Sequence, residues 1–311
     1  MSFRIEVIAD SITPDGIRGI TFAGRWPRFI HAEFMTHRAF ARNASSSRAK
    51  PVKRIIREIL DDMAMPVHWG ANRPGMQAKE ELTGWRLKVA KATWRAAGYA
   101  AIAFARVMIA IGLHKQVANR IIEPWSHIDV VFTTTMDGLE NFFSLRDHPD
   151  AQPEMQVLAK LVKLAVNKSR PRELRVGEWH LPYFREEDIV RVKEYVAANP
   201  EFDDLWVAQA ISAARCARVS YSNHDGTQTT IDEDIALFRR LIVDKIESGD
   251  PIHASPTEHQ FTPDEPLRDF GEDTRAESVI AWRRPGMGGN LGDGVIQLRK
   301  VIEKDAAASR N

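Results

Sequence analysis

The sequence predicts an α+β fold, helix-rich with a modest sheet, and three observations lead there. Ile128 to Thr135 is β-branched, and Phe3 to Ala9 and Ile17 to Phe22 alternate apolar with polar residues, as strands do. Val52, Ile55, Ile56, Ile59, Leu60 and Met63 recur at three-to-four spacing, the pattern of a helix with one buried face. Further long stretches suited to helix occupy much of the remaining chain.

Taken in order, Pro14-Asp15-Gly16 supplies the turn between the first two strands. Pro27 is placed to start a helix that runs through Glu33 to about Arg38. Asn43 to Lys50 reads as a polar, Ser-rich loop, and Pro66 stops the amphipathic helix that follows it. Val67 to Gln77 is loop-like. A helical region spans about Ala78 to Leu113, with a break expected near Gly98. A short helix carries His114 to Ile122 and stops before Pro124, and Glu154 to Val166 is helical again. The Pro-containing, irregular stretch from Asn167 to Glu187 marks the expected boundary between a module over 1–170 and a second over 171–311. Helices follow near Glu187 to Ala197, Asp204 to Arg215 and Ile231 to Ile246. The tail from Gly249 to Asn311, rich in Gly, Pro and charge, is expected to be partly irregular.

Composition narrows the function. With 43 basic and 42 acidic residues in 311, the chain lacks the net charge for wholesale binding to a nucleic-acid backbone, though a local basic pocket remains open. Its one cysteine, Cys216, excludes an intramolecular disulfide and a Cys-based zinc site, and suits a reducing, cytoplasmic setting. The most apolar run, Gly98 to Ile111, is interrupted by Arg106 and falls short of the roughly 20 residues a membrane helix takes, so no membrane association is expected. No signal peptide is visible at the N-terminus.

Four segments could carry chemistry. Thr36 to Arg48 gathers His37, Arg38, Arg42, Asn43, Ser45, Ser46, Ser47 and Arg48 at one helix-to-loop junction. Hydroxyls, loop N–H groups and fork-shaped guanidinium groups are what a phosphate requires, although a solvated polar loop has the same composition. Asn119 to Trp125 contains Arg120 at an expected helix C-terminus, where the backbone dipole alone would favour a cation. Asn141 to Glu154 sets Asn141 and Arg146 around an aromatic pair; core aromatics and a helix cap would explain it equally. The fourth is Cys216 to Tyr221 together with His253 to His259. Its histidines lack the H-E-x-x-H spacing and Pro256 interrupts any helix there, so no metal site is expected. A phosphate-binding P-loop and a nucleophile elbow are both missing. Gly288 to Gly292 comes too late, with no helix expected after it, to be a dinucleotide fingerprint.

Together these segments resemble the flavin-dependent thymidylate synthases. That family carries an Arg-His-Arg, seven residues, then Ser signature, and His37, Arg38, Asn43, Ser46 and Arg48 fall at matching positions. Its Arg-Ile-x-x-Pro segment is similar to Arg120 to Pro124. Its Asn-Phe-x-x-Leu-Arg and Ala-Gln-x-Glu segments are similar to Asn141 to Arg146 and Ala151 to Glu154. The family's Ala-Arg-Val-Ser-Tyr and His-x-x-Pro-x-Glu-His stretches usually precede the signature. Their counterparts here, Ala217 to Tyr221 and His253 to His259, come near the C-terminus. The chain therefore looks like a permuted or partly duplicated version of the fold, similar to long forms carried by phages.

The resemblance implies an FAD enzyme that moves a one-carbon unit from methylenetetrahydrofolate to C5 of dUMP, with NADPH as reductant, in a homotetramer. It implies Ser46, Ser47 and Arg48 at the nucleotide phosphate, and Arg120 and Arg146 as catalytic residues at the pyrimidine. His37, Arg38, Asn43, Asn141, Leu145, Ser220, Ser255, Glu258 and His259 would contact the flavin. Three positions depart from the pattern: Thr36 replaces the first signature arginine, Ala44 an acidic residue, and Ala49 an aromatic one. They leave open another pyrimidine deoxynucleotide such as dCMP, hydroxymethylation in place of methylation, or a non-catalytic nucleotide-binding relative.

Overall fold

The computed structural model describes residues 3–75, 78–220, 229–270 and 277–308, so Tyr221 of the fourth segment lies outside the described residues. Its centre is a five-stranded sheet. β1 (Arg4–Ile12) and β2 (Arg18–Pro27) form the expected hairpin, longer than the alternation suggested. β3 (Ala41–Ala44), β4 (His127–Thr135) and β5 (Arg172–Glu173) complete the order β3-β4-β2-β1-β5, antiparallel except where β5 joins β1.

The helix after Pro27 is shorter than expected. Pro27 ends β2, a 3₁₀ turn covers Arg28–Ile30, and α1 is only His31–Phe34. The reason is local: Arg42 donates to the carbonyls of Met35 at 2.9 Å and His37 at 2.8 Å, and Thr36 Oγ1 donates to Glu33 O. Those carbonyls are taken from any further helical turn. Nor is the stretch from Asn43 a loop throughout, because Asn43 and Ala44 pair with Val131 and Val130 on the edge of β4.

α2 (Val52–Asp61) matches its pattern. α3 (Gly84–Ala110) starts six residues later than expected and is unbroken at Gly98. That glycine serves close packing: a Cβ there would lie 2.8 Å from Met63 and 2.9 Å from Trp125. α4 (Lys115–Ala118) gives way at Asn119 to a 3₁₀ helix, Asn119–Trp125, which passes through Pro124 instead of stopping before it. Arg120 therefore lies near the start of a 3₁₀ segment and not at an α-helix C-terminus. α2, α3, α4 and the 3₁₀ segment share a small core of Ile55, Ile59, Ile102 and Ile122. Among the described residues no helix is long and apolar enough to cross a membrane.

α5 (Met136–Arg146) and α6 (Pro153–Lys168) cover one face of the sheet, burying Ile20, Phe22, Trp26, Val130 and Phe132 against Leu139, Phe142, Leu158 and Val162. The alternate residues of β2 and β4 face the other way, as strand periodicity requires. Thr21 and Thr133, register partners on that second face, are fully buried. The second half of the chain covers them.

That half begins with α7 (Glu186–Ala198) and α8 (Asp204–Ala217), near their expected bounds. The helix expected over Ile231 to Ile246 is α9 (Ile231–Phe238), a π-helical turn over Arg239–Val243, and α10 (Asp244–Ser248). Among its described residues the tail sets short regular elements between turns and loops. β6 (Phe261–Pro263) pairs with β9 (Val295–Gln297), β7 (Pro266–Phe270) pairs with β8 (Glu277–Trp282), and α11 (Leu298–Ala308) follows. A helix thus does come after the glycine-rich stretch, but β9 intervenes, so those glycines do not open it. Phe261, Leu291 and Val295 are buried with Leu174 and Ile17, which draws the tail onto the N-terminal hairpin.

One close approach is at Gly19 of β2, where a Cβ would stand 2.3 Å from the Phe261 ring. Phe261→Ala should lose about 3–5 kcal/mol and Gly19→Ala about 1–3 kcal/mol. In the double variant the loss should fall well short of the sum, because removing the ring removes the clash. Urea denaturation of the three variants measures this; strict additivity would mean the two residues do not press on each other.

Candidate functional site

The first and third motifs meet at the end of α5. Arg146 Nε donates to His37 Nε2 at 2.9 Å, one terminal nitrogen donates to Glu33 Oε1, and the other donates to Thr36 Oγ1 at 3.2 Å. The three partners come from one short stretch because α1 ends early and its turn folds back under α5. His37 is buried, stacked on Phe40 and edge-on to Phe142. Burial first, then the charges of Arg146 and Arg42, hold its pKa down to about 4. It is therefore neutral at physiological pH and accepts the arginine's hydrogen bond. Thr36 supplies a neutral acceptor to Arg146 at the position where an arginine was expected.

The first and second motifs meet in a different place. Ser47 Oγ donates to Glu123 Oε1, and Arg120 donates to both Glu123 oxygens at 3.1 and 3.3 Å. Asn119 Nδ2 donates to the carbonyls of Ser47 and Lys50 at 2.6 and 3.1 Å, clamping the serine loop. Ser46 Oγ accepts the Arg48 N–H at 3.3 Å, a weak turn contact. Arg38 and Arg48 are exposed, and their guanidinium groups have no partner among the described residues. Asn141 and Leu145 are also exposed, one helical turn apart on α5.

These two clusters flank β3: His37 precedes the strand and Ser45 follows it. Within one chain the structure joins Arg146 to His37 and Arg120 to Ser47, but it does not join the two pairs.

The C-terminal counterparts lie against the same sheet. Asn43 is buried and donates to Cys216 O at 3.3 Å, so its amide serves the end of α8. Ser220 lies at the end of the 3₁₀ turn Arg218–Ser220, and Ser255 begins the 3₁₀ turn Ser255–Glu258, half-buried. Glu258 pairs with Arg299, and its charge also supports the ionised form of Arg42. His259 is fully buried and ends a hydrogen-bond relay. Ser11 Oγ meets His180 Nδ1 at 2.9 Å, His180 Nε2 meets Thr21 Oγ1 at 2.8 Å, Thr21 meets Thr133 at 2.6 Å, and Thr133 meets His259 Nδ1 at 2.8 Å. Each hydroxyl donates once, so the direction of the relay fixes both imidazole tautomers together. Burial holds the pKa of His180 and of His259 down to about 3, and His259 Nε2 is buried without a partner among the described residues.

Sequence reasoning missed Glu33, Glu123, Thr133 and Arg28, whose residue types are ordinary and carry no spacing signal. Arg28 is half-buried, donating to Ser45 O at 3.0 Å. Burial lowers its pKa, while Glu123 and Asp129 oppose that shift.

Residues 17–172, half the chain, match the thymidylate synthase complementing protein family. The chain belongs to that family. It is a flavin-dependent thymidylate synthase-like enzyme, and the three N-terminal motifs all fall within the matched residues. Comparison with curated proteins finds no match. Among solved structures, the chain is similar to a UMP/dUMP methylase from Streptomyces cacaoi bound with 5-Br dUMP. The identity is 16%, covering 54% of this chain and 91% of that one, with a TM-score of 0.42. It is also similar to thymidylate synthase X from Helicobacter pylori with FAD and dUMP, at 19% identity over 48% of this chain and 67% of that one, with a TM-score of 0.33.

The Ala151 to Glu154 segment borders a cavity of about 940 Å³ walled by Phe29, Pro66, Trp94, Gln152 and Gln156. Glu154 in its floor is spent structurally, accepting from Val67 N at 2.8 Å and Gln152 Nε2 at 3.2 Å.

Five histidines are kept neutral by burial: His31, His37 and His127 with pKa values near 4, His180 and His259 near 3. A depressed folded pKa means the unfolded chain binds more protons between that value and about 6.5. The stabilisation is full above about pH 6.5 and is lost as pH falls towards 4 and then 3. Melting temperature should drop across that window, and the drop should be smaller in His37→Gln than in the parent. Parallel pH profiles would show that His37 is not held neutral.

Proposed function

We propose that this enzyme transfers a one-carbon unit from methylenetetrahydrofolate to C5 of dUMP, giving dTMP, with FAD as cofactor and NADPH as reductant. One observation carries the reading. The three matched motifs, far apart in sequence, are tied by direct side-chain bonds, Arg146 to His37 across 109 residues and Ser47 to Glu123 across 76. Packing alone does not require cations, hydroxyls and a neutral imidazole to be gathered in this way.

The available donors fit a flavin. Arg38 is an exposed, unpartnered cation for a phosphate, Asn141 and Leu145 offer an amide beside an apolar surface, and His37 presents a neutral ring. Bound FAD would supply the carrier and redox chemistry that no side chain here can provide. Ser46, Ser47 and Arg48 would hold the nucleotide phosphate. Arg120 and Arg146 would face the pyrimidine oxygens and stabilise the negative charge that accompanies a nucleophilic C5. The buried Cys216 thiol, its pKa pushed well up by burial, is unsuited to act as a nucleophile.

The separation across β3 favours a site shared between subunits, with the phosphate loop of one facing Arg146 of another. Trp85, Tyr99 and Phe104 stand exposed on α3 and Ile111 just beyond it, which supports assembly, and we take the homotetramer of the family as the form. Residues 1–170 would form the nucleotide and flavin module, while 171–311 would close the second face of its sheet and offer Ser255 and Glu258 to the flavin; His259, expected there too, is held inside the buried relay. A different pyrimidine deoxynucleotide or hydroxymethylation is the second reading, favoured by Thr36, Ala44 and Ala49.

The first test is spectroscopic. Protein loaded with FAD and freed of excess should retain a flavin spectrum that shifts on titration with dUMP. A spectrum indifferent to dUMP but responsive to another pyrimidine nucleotide selects the second reading, and no retained flavin removes the enzyme assignment. Arg146→Ala should abolish folate-dependent turnover while the oligomer survives gel filtration; near-normal turnover would remove its role. Arg48→Ala should weaken nucleotide binding by about 1.5–3 kcal/mol, the scale of a charge-assisted hydrogen bond, as read by calorimetry.

A further inference from the structure

Glu123 is misplaced for a simple phosphate site. The loop and 3₁₀ segment that offer hydroxyl and guanidinium donors to an anion also hold a carboxylate, and that carboxylate already uses them. Ser47 donates its hydroxyl to Glu123, Arg120 donates to both Glu123 oxygens, and the half-buried Arg28 feels its charge. Like charges at close range repel, so a phosphate dianion could not settle beside Glu123 at its present position without a large loss.

We propose, resting on the reading that this loop takes the nucleotide phosphate, that Glu123 is a resident anion that fills the phosphate site and is exchanged for the phosphate when nucleotide binds. The local structure suits such an exchange. Asn119 clamps the loop backbone at Ser47 and Lys50, and Ser126 holds Glu123 O through its N–H at 3.0 Å and its hydroxyl at 2.8 Å. The main chain can therefore stay fixed while the Glu123 side chain rotates away. Giving up the Arg120 pair costs little, because its side chain is 57% exposed, and the Ser47 hydroxyl that Glu123 also leaves is taken up by the phosphate. What replaces the carboxylate is a doubly charged group that can engage Ser47 and Arg48, whose guanidinium has no partner among the described residues, while Arg120 is released to the pyrimidine.

The exchange makes phosphate a condition of entry. A nucleoside without phosphate cannot displace the carboxylate, whereas a nucleotide can. Glu123 thus acts as a specificity-determining residue through charge.

The test is calorimetry on the FAD-loaded protein with three probes: dUMP, deoxyuridine and inorganic phosphate. Glu123→Gln should tighten dUMP and phosphate by about tenfold or more at low salt, with the gain shrinking as salt screens the site, and should leave deoxyuridine unchanged. Glu123→Ala, which removes charge and reach together, should shift affinities the same way if the Gln variant does not fold. Unchanged or weaker dUMP and phosphate binding overturns the proposal, as does equal tightening of deoxyuridine, which would mean steric blocking. Should phosphate tighten while dUMP binds no better than phosphate alone, the role of Glu123 stands and the pyrimidine reading of the site fails.

Discussion

Two threonine hydroxyls, Thr21 and Thr133, sit 2.6 Å apart in the middle of the sheet with no access to water. Buried hydroxyls are costly unless they are bonded, and these two can satisfy each other only in part. His180 and His259 complete them, one arriving after β5 and the other after α10. The sheet therefore has one face closed by α5 and α6 through apolar packing and another closed by the second half of the chain through a polar relay. Asn43 donating to Cys216 O, and Gly19 lying under the Phe261 ring, follow from the same closure. A family fold whose matched region ends at residue 172 is thus completed by residues far beyond that limit.

A second constraint is charge. Two of the arginines assigned to the pyrimidine or phosphate have acids of their own: Glu33 for Arg146 and Glu123 for Arg120. Arg38 and Arg48 have none among the described residues. The internally paired cations are held in place before any ligand arrives, and the unpaired ones are solvated at the rim. His37 fits between these classes because burial makes it an acceptor, and a protonated imidazole there would repel Arg146.

The parts of the fold with strong period were legible: β2, β4, α2 and α6 each repeat apolar residues at the spacing of their element. β3 was not, because Ala-Arg-Asn-Ala has no strand preference of its own and is extended only where the edge of β4 offers it partners. The short strands of the tail were not legible for a related reason. Phe261, Leu291 and Val295 are too scattered to form a pattern, and they become a core only against Ile17 and Leu174. At the site, the motif residues could be picked out through the resemblance, and the structure joins them in pairs. Glu33, Glu123 and Arg28 could not be, since a lone charged residue beside a motif resembles any solvated one until its partner is known.

The relay also imposes an order of events on synthesis. His259 follows Thr133 by 126 residues. At about 5–20 residues per second, the sheet's polar face waits roughly 6–25 s after β4 leaves the ribosome before its last partner exists. During that interval β2 and β4 can pair and α5 and α6 can dock, but the threonine face stays wet and open to other chains. A burial so dependent on distant contacts makes folding slow relative to a helical bundle of equal size. Ribosome stalling in the last third of the message would accordingly release a chain that is half closed, its apolar layer packed and its polar layer still hydrated.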